Sequence, residues 1–170
     1  PVVSGGPPSR GFLVGGGGGN GQGGLRRGPR DSSPEIKQKV AELTAAAKTP
    51  VEKMKAIAAF AQREIRYVGI ELGIGGYQPH AAKDVFAHRY GDCKDKATLV
   101  STMLSELGVV SYYIVINSER GAVTPGMPPQ IGIFDHVILA FKLPEGVSDA
   151  SLVAFMAYAK PGKLLIFIPS

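Results

Sequence analysis

The run Arg89-Tyr90-Gly91-Asp92-Cys93-Lys94-Asp95-Lys96-Ala97-Thr98-Leu99 narrows the choice of fold more than any other part of the chain. Gly91 and Asp92 read as a turn and a helix entry. Beyond them Ala97, Val100, Leu104 and Leu107 recur at helical spacing on the same face as Cys93, and Gly108 ends the pattern. A helix with that stripe needs a surface to pack against, and it carries the single cysteine of the chain in its first turn. A thiol there meets unpaired N–H groups and the positive end of the helix dipole, which favour thiolate. Lys94 and Lys96 add positive charge nearby, whereas Asp92 and Asp95 oppose it. The competing reading is a small buried apolar residue, which is the commoner use of a lone cysteine.

Packing partners are legible on both sides of this helix. Ser33-Pro34 opens a first helix with the apolar stripe Ile36, Val40, Leu43 and Ala47. Thr49-Pro50-Val51-Glu52 is a capping box, and the helix it starts buries Val51, Met54, Ile57, Ala58, Ala61 and Ile65. These two helices read as scaffold. A short extended piece at 65–70 leads to Gly73-Ile74-Gly75-Gly76-Tyr77-Gln78-Pro79-His80, and Ala81 to His88 suits a short helix. After Gly108, residues 109–117 are dense in β-branched and aromatic side chains and predict a central strand. Residues 118–132, rich in glycine and proline, predict a long loop of the kind that often binds ligands. Phe134 to Phe141 predicts the next strand, with His136 near its start, and Lys163 to Ile168 a last one; residues 147–162 fit helix or strand. The order predicts an α+β fold, with the N-terminal helices and the cysteine helix packed on an antiparallel sheet.

Residues 1–31 differ in kind. They hold 12 of the 23 glycines, with Gly15 to Gly19 in a row, and show no helix or strand period. The expectation is a flexible tail or interdomain linker over 1–32, followed by one domain over 33–170. A phosphate loop would need a lysine followed by Ser or Thr after the glycines, which is missing. Arg10, Arg26, Arg27 and Arg30 lie in this stretch against Asp31 alone, so most of the net charge of +5 sits there. Without it the body keeps 15 basic and 13 acidic residues, too near balance to argue for a nucleic-acid partner. One cysteine excludes an internal disulfide and a cysteine-based zinc site. His80 and His88 are isolated, and no loop of spaced carboxylates suggests calcium, so neither metal nor cofactor is expected. No apolar run reaches the length of a membrane span. The chain begins at Pro1, without a methionine, and reads as a processed or excised fragment.

A thiolate nucleophile needs a base or ion-pair partner in hydrogen-bond reach, and a third group to fix the imidazole. A cysteine on a helix and a histidine at a strand start can meet that demand, although a lone histidine there is more often structural. At this point three stretches taken together become distinctive. Gly75-Gly76-Tyr77-Gln78-Pro79-His80, then Arg89 through Ala97, then Phe134-Asp135-His136-Val137 resemble the bacterial branch of the transglutaminase-like superfamily, over about residues 33–168. That superfamily is similar in core fold to papain-type cysteine proteases.

The resemblance implies that Cys93 is the nucleophile and His136 the base. It also implies an aspartate on the next strand, in a Phe-Asp-Pro-Thr-like run. Here the matching run is Phe167-Ile168-Pro169-Ser170, so Ile168 stands at the aspartate's place and cannot accept the imidazole N–H. Asp135 is a poor substitute, because neighbouring strand residues point to opposite faces. Gln78 and the Cys93 main-chain N–H are candidate oxyanion donors. The implied activity is acyl transfer on a protein or peptide substrate through a Cys93 thioester, hydrolysis being favoured over cross-linking. The alternative is an impaired enzyme that binds peptides. Many members place this domain after an N-terminal β-sandwich domain in an extracytoplasmic protein, periplasmic or secreted.

Overall fold

The computed structural model describes residues 12–14, 28–69, 78–119, 133–145, 147, 155–157 and 163–167. Two capped helices come first after residue 28. Helix α1 spans Pro34–Thr44, and the Ser33 hydroxyl accepts the Ile36 N–H at its start. Helix α2 spans Pro50–Glu64 behind the expected capping box of Thr49 and Glu52. Both caps satisfy main-chain donors that the first helical turn leaves open. The stripes Ile36–Val40 and Met54–Ile57–Phe60–Ala61 then bury against each other and against the cysteine helix.

Helix α3 (Ala82–His88) ends on Arg89, which adopts a left-handed φ of 60°. Its guanidinium lies over the Phe86 ring at 4.3 Å and the Phe60 ring at 5.2 Å, cation–π contacts that hold the bend. The bend feeds two very short strands, β2 (Arg66–Tyr67) and β3 (Tyr90–Gly91), which pair in parallel. Tyr90 and Gly91 are thus a strand as well as an approach to the helix.

Helix α4 spans Cys93–Ser105 and is buried on every side from Cys93 to Leu104. The sequence shows one apolar stripe, but the fold surrounds the helix with α1, α2, α3 and the sheet. Its buried hydroxyl side chains are compatible with burial because they find partners. Thr98 and Thr102 hydroxyls donate to carbonyls one turn back, and the Ser101 and Ser111 hydroxyls share a hydrogen bond of 2.8 Å. Gly108, at φ 71°, ends the turn that follows, and Val109 N–H donates back to the Leu104 carbonyl.

The sheet has the order β1-β4-β5-β7-β6, antiparallel throughout: β1 Phe12–Val14, β4 Ser111–Ile116, β5 His136–Lys142, β6 Phe155–Ala157, β7 Lys163–Phe167. The pleat separates two apolar sets. Tyr113, Val137, Leu139, Phe141, Leu165 and Phe167 join the helical core. Ile114, Ile138, Ala140 and Leu164, with Tyr112, Ile116 and Ile166, form a second cluster on the opposite face.

Two parts of the glycine-rich stretch belong to this fold, against the expectation that it holds no strand. Phe12–Val14 pairs with Tyr113–Val115 at the sheet edge. Three residues are too few to show a period, so pairing rather than local pattern defines this strand. Gly28–Asp31 runs along α3 and α4: Pro29 carbonyl accepts Ala82 N–H, Arg30 carbonyl accepts the Thr102 hydroxyl, and Arg30 Nε donates to Tyr113 Oη at 3.1 Å. The remainder of 1–27 and most of the loop predicted over 118–132 lie outside the described residues.

Candidate active site

Asp92 caps α4, and the chain on either side of it makes the cap reciprocal. The Asp92 carboxylate accepts Asp95 N–H at 3.1 Å, and the Asp95 carboxylate accepts Asp92 N–H at 3.3 Å. The Lys94 ammonium donates to the other oxygen of Asp92, and all three side chains are buried. This Asp-Cys-Lys-Asp capping box was not among the sequence expectations. Its signal is present in the spacing of the two aspartates, although the usual second residue is Glu or Gln.

Cys93 is the first residue of α4 and is 4% exposed. Its surroundings act on the sulfur in both directions. Burial pushes the Cys93 thiol above its ordinary range, and the Asp92 carboxylate adds to the rise. The main-chain N–H of Val137, the N–H of Lys94 and the Lys94 ammonium pull the other way without prevailing. The helix end exerts its expected effect, but desolvation of the anion is larger, and Lys94 is already engaged by Asp92.

The Val137 N–H that faces this sulfur brings the first residues of β5 to the end of α4. His136 opens that strand, half-buried, opposite Ile116. The pleat sends Val137 toward the helices. Among the described residues no hydrogen bond joins the Cys93 thiol to the His136 imidazole. At the Cys93 end the two elements meet at the Val137 amide, and farther along they pack through the apolar core. Asp135 is turned elsewhere: its carboxylate accepts the Ser118 N–H at 2.8 Å and the Ser118 hydroxyl, and these bonds hold it below the usual carboxylate range. Gln78 is exposed at the start of the segment that leads to α3. Ile168 lies outside the described residues. Among those residues, no three of His, Cys, Asp and Glu cluster as a metal site, and no helix is long and apolar enough to cross a membrane.

The sequence profile of the transglutaminase-like superfamily matches residues 37–144, well over half of the chain. The chain belongs to that superfamily. The match spans α1 through β5 and so includes Cys93 and His136, while the segments around Ile168 fall beyond it. Among solved structures, a proposed protease from Parabacteroides distasonis superposes with a TM-score of 0.52 at 18% identity, covering 63% of this chain and 21% of its own. A proposed cysteine protease from Cytophaga hutchinsonii gives 0.46 at 15% identity, with 63% and 32% covered. This chain thus corresponds to a third or less of either relative's length. No curated protein matches it. The α+β architecture, with its cysteine at a helix start against an antiparallel sheet, is the papain-like core of this superfamily.

Proposed function

We propose that the chain is a thiol-dependent acyl-transfer enzyme in which Cys93 attacks the carbonyl of a peptide bond or a glutamine carboxamide. The observation that supports this most directly is the meeting of Cys93 at the helix start with the first residues of β5, within a chain of this superfamily. Burial raises the Cys93 thiol, so in this reading its proton leaves during attack rather than before it. His136 is the proposed acceptor; in this reading its imidazole turns toward the sulfur when substrate occupies the cleft, since catalytic hydrogen bonds often form only then. The sulfur–carbon bond forms, the carbonyl electrons move to oxygen, and the Cys93 N–H with the Gln78 amide stabilises that oxyanion. Collapse expels the amine, which takes its proton from His136 and leaves a thioester. Water then releases the acid and free thiol; an amine acceptor would give a cross-link instead. Hydrolysis is favoured because water is always present. In the same reading residues 33–170 form the catalytic domain, 1–32 joins it to a further domain such as a β-sandwich, and the protein works outside the cytoplasm.

A second reading has its own support. The raised thiol and the unmade Cys93–His136 hydrogen bond suit a peptide-binding module that has lost its chemistry, as does isoleucine at position 168. Turnover separates them, and a second measurement checks the raised thiol that both readings use. Turnover of a panel of fluorogenic peptide amides by the wild-type chain should fall at least about 10³-fold in Cys93→Ala and in His136→Ala. Cys93 alkylation by iodoacetamide should show an inflection above about 8.5, the ordinary thiol value, in the absence of peptide. A wild-type chain that binds the peptides, turns none over and binds them equally well as Cys93→Ala would establish the binding module.

A further inference from the structure

Asp95 is used twice. Its carboxylate closes the capping box on Asp92, and it also grips a segment fifteen residues upstream. Oδ1 accepts the main-chain N–H of His80 at 2.8 Å, and Oδ2 receives the His80 Nδ1–H at 2.9 Å. The Asp95 side chain is 4% exposed, whereas the imidazole is 67% exposed and sits over it. With a carboxylate as acceptor, Nδ1 carries the proton. A helix cap requires only one of these bonds. The other two tie Gln78-Pro79-His80 to the turn that holds Cys93.

Room for this grip is built into the backbone. A Cβ on Gly91 would lie 2.6 Å from the Asp95 Cβ and 3.2 Å from Oδ2, so the glycine is what lets Asp95 lie across the helix end. Four elements therefore converge on one buried carboxylate: β3 through Gly91, the helix cap through Asp92, the first turn of α4, and the 78–80 segment.

We propose that Asp95 and His80 are positioning residues that fix Gln78 relative to Cys93. The inference rests on the acyl-transfer reading. Gln78 lies two positions before the pinned His80 amide, a reach of about 7 Å, so the grip fixes the backbone from which the Gln78 amide must find the oxyanion. The oxyanion exists only in the tetrahedral intermediate and the transition states around it. Loosening the grip consequently lowers kcat and leaves KM nearly unchanged.

Asp95→Ala would also break the reciprocal half of the capping box and can unfold the site, so His80 carries the test. On the best peptide amide of the panel, His80→Ala should lower kcat about tenfold with KM within about twofold, since small displacements of a catalytic group cost that much or more. His80→Asn, whose amide nitrogen takes the place of Nδ1, should recover kcat to within about threefold of wild type. The double variant His80→Ala/Gln78→Ala should be no slower than Gln78→Ala alone, because one residue acts through the other. Unchanged kcat in His80→Ala, no rescue by His80→Asn, or additive losses in the double variant would each overturn the inference while the acyl-transfer reading stands. A wild-type chain without Cys93-dependent turnover would overturn that reading, and this inference with it.

Discussion

The chain builds the same device twice, and the two copies behave differently. At the start of α2, Thr49 and Glu52 exchange side-chain and main-chain hydrogen bonds in water. Their other neighbour is the Lys48 N–H, which Glu52 also accepts. At the start of α4, Asp92 and Asp95 make the same exchange with both carboxylates buried, and the Lys94 ammonium and His80 are drawn in. A cap in water can trade its partners for solvent. A buried cap cannot, so each of its atoms needs a fixed partner, and each partner becomes fixed in turn. The scaffold helix is merely started by its cap. Around Cys93 the cap organises the neighbouring chain.

Breaking each cap should measure that difference, and this is the largest effect expected. Asp92→Ala leaves the Lys94 ammonium and the Asp95 N–H buried without their acceptor, a loss of about 3–5 kcal/mol as for one partner of a buried ion pair. Thr49→Ala should cost about 1 kcal/mol, since water replaces the hydroxyl. Urea denaturation of both variants gives the ratio. Equal costs would mean that burial adds nothing to the cap of α4.

Gly91→Ala comes next. It pushes a methyl into the Asp95 Cβ and removes no charge, and overpacking of this kind costs about 1–3 kcal/mol. The substitution sharpens the comparison because its tightest contact is with Asp95, with Val85 Cγ1 next at 3.3 Å. A thermal midpoint equal to that of wild type would show that the helix end yields easily, and the rigidity argued for it would be wrong.

How far this was legible in the sequence follows the same line between local and tertiary causes. The caps at Ser33 and Thr49, the stripes of α1 and α2, the short α3, and the strands opening near Ser111 and His136 are local patterns, and they were readable. So was the place of Cys93 at a helix start. What escaped depends on partners distant in sequence. β1 and the pair β2–β3 are too short to carry a period. The burial of α4 on all sides is invisible in a helix whose outer residues are Lys, Asp, Thr and Ser. The sign of the Cys93 shift turned on desolvation, which only the packed fold determines. In β5, Val137 to Phe141 are apolar on both faces, so alternation alone left unsaid which of them would face the helices.

Lys96 tests the comparison from the other side, as a charge in the same helix turn that no cap employs. It is 2% exposed, and burial lowers its pKa from the usual lysine value. Among the described residues its ammonium makes no hydrogen bond, in contrast to Lys94. The sign follows from which state binds the proton more tightly. The unfolded chain holds it up to the ordinary lysine range, whereas the folded chain gives it up earlier, so the charge disfavours folding at neutral pH. Lys96→Met keeps the length of the stem and removes the charge, and it should stabilise the fold by about 1 kcal/mol near pH 7. That gain should shrink as pH rises through the lowered pKa of Lys96, where the folded wild-type side chain is already neutral. Denaturation midpoints of both proteins at pH 7 and pH 9.5 read it directly. A loss of stability at both values would show that Lys96 is held by the fold as Lys94 is, and the distinction between charges inside and outside the cap would fail.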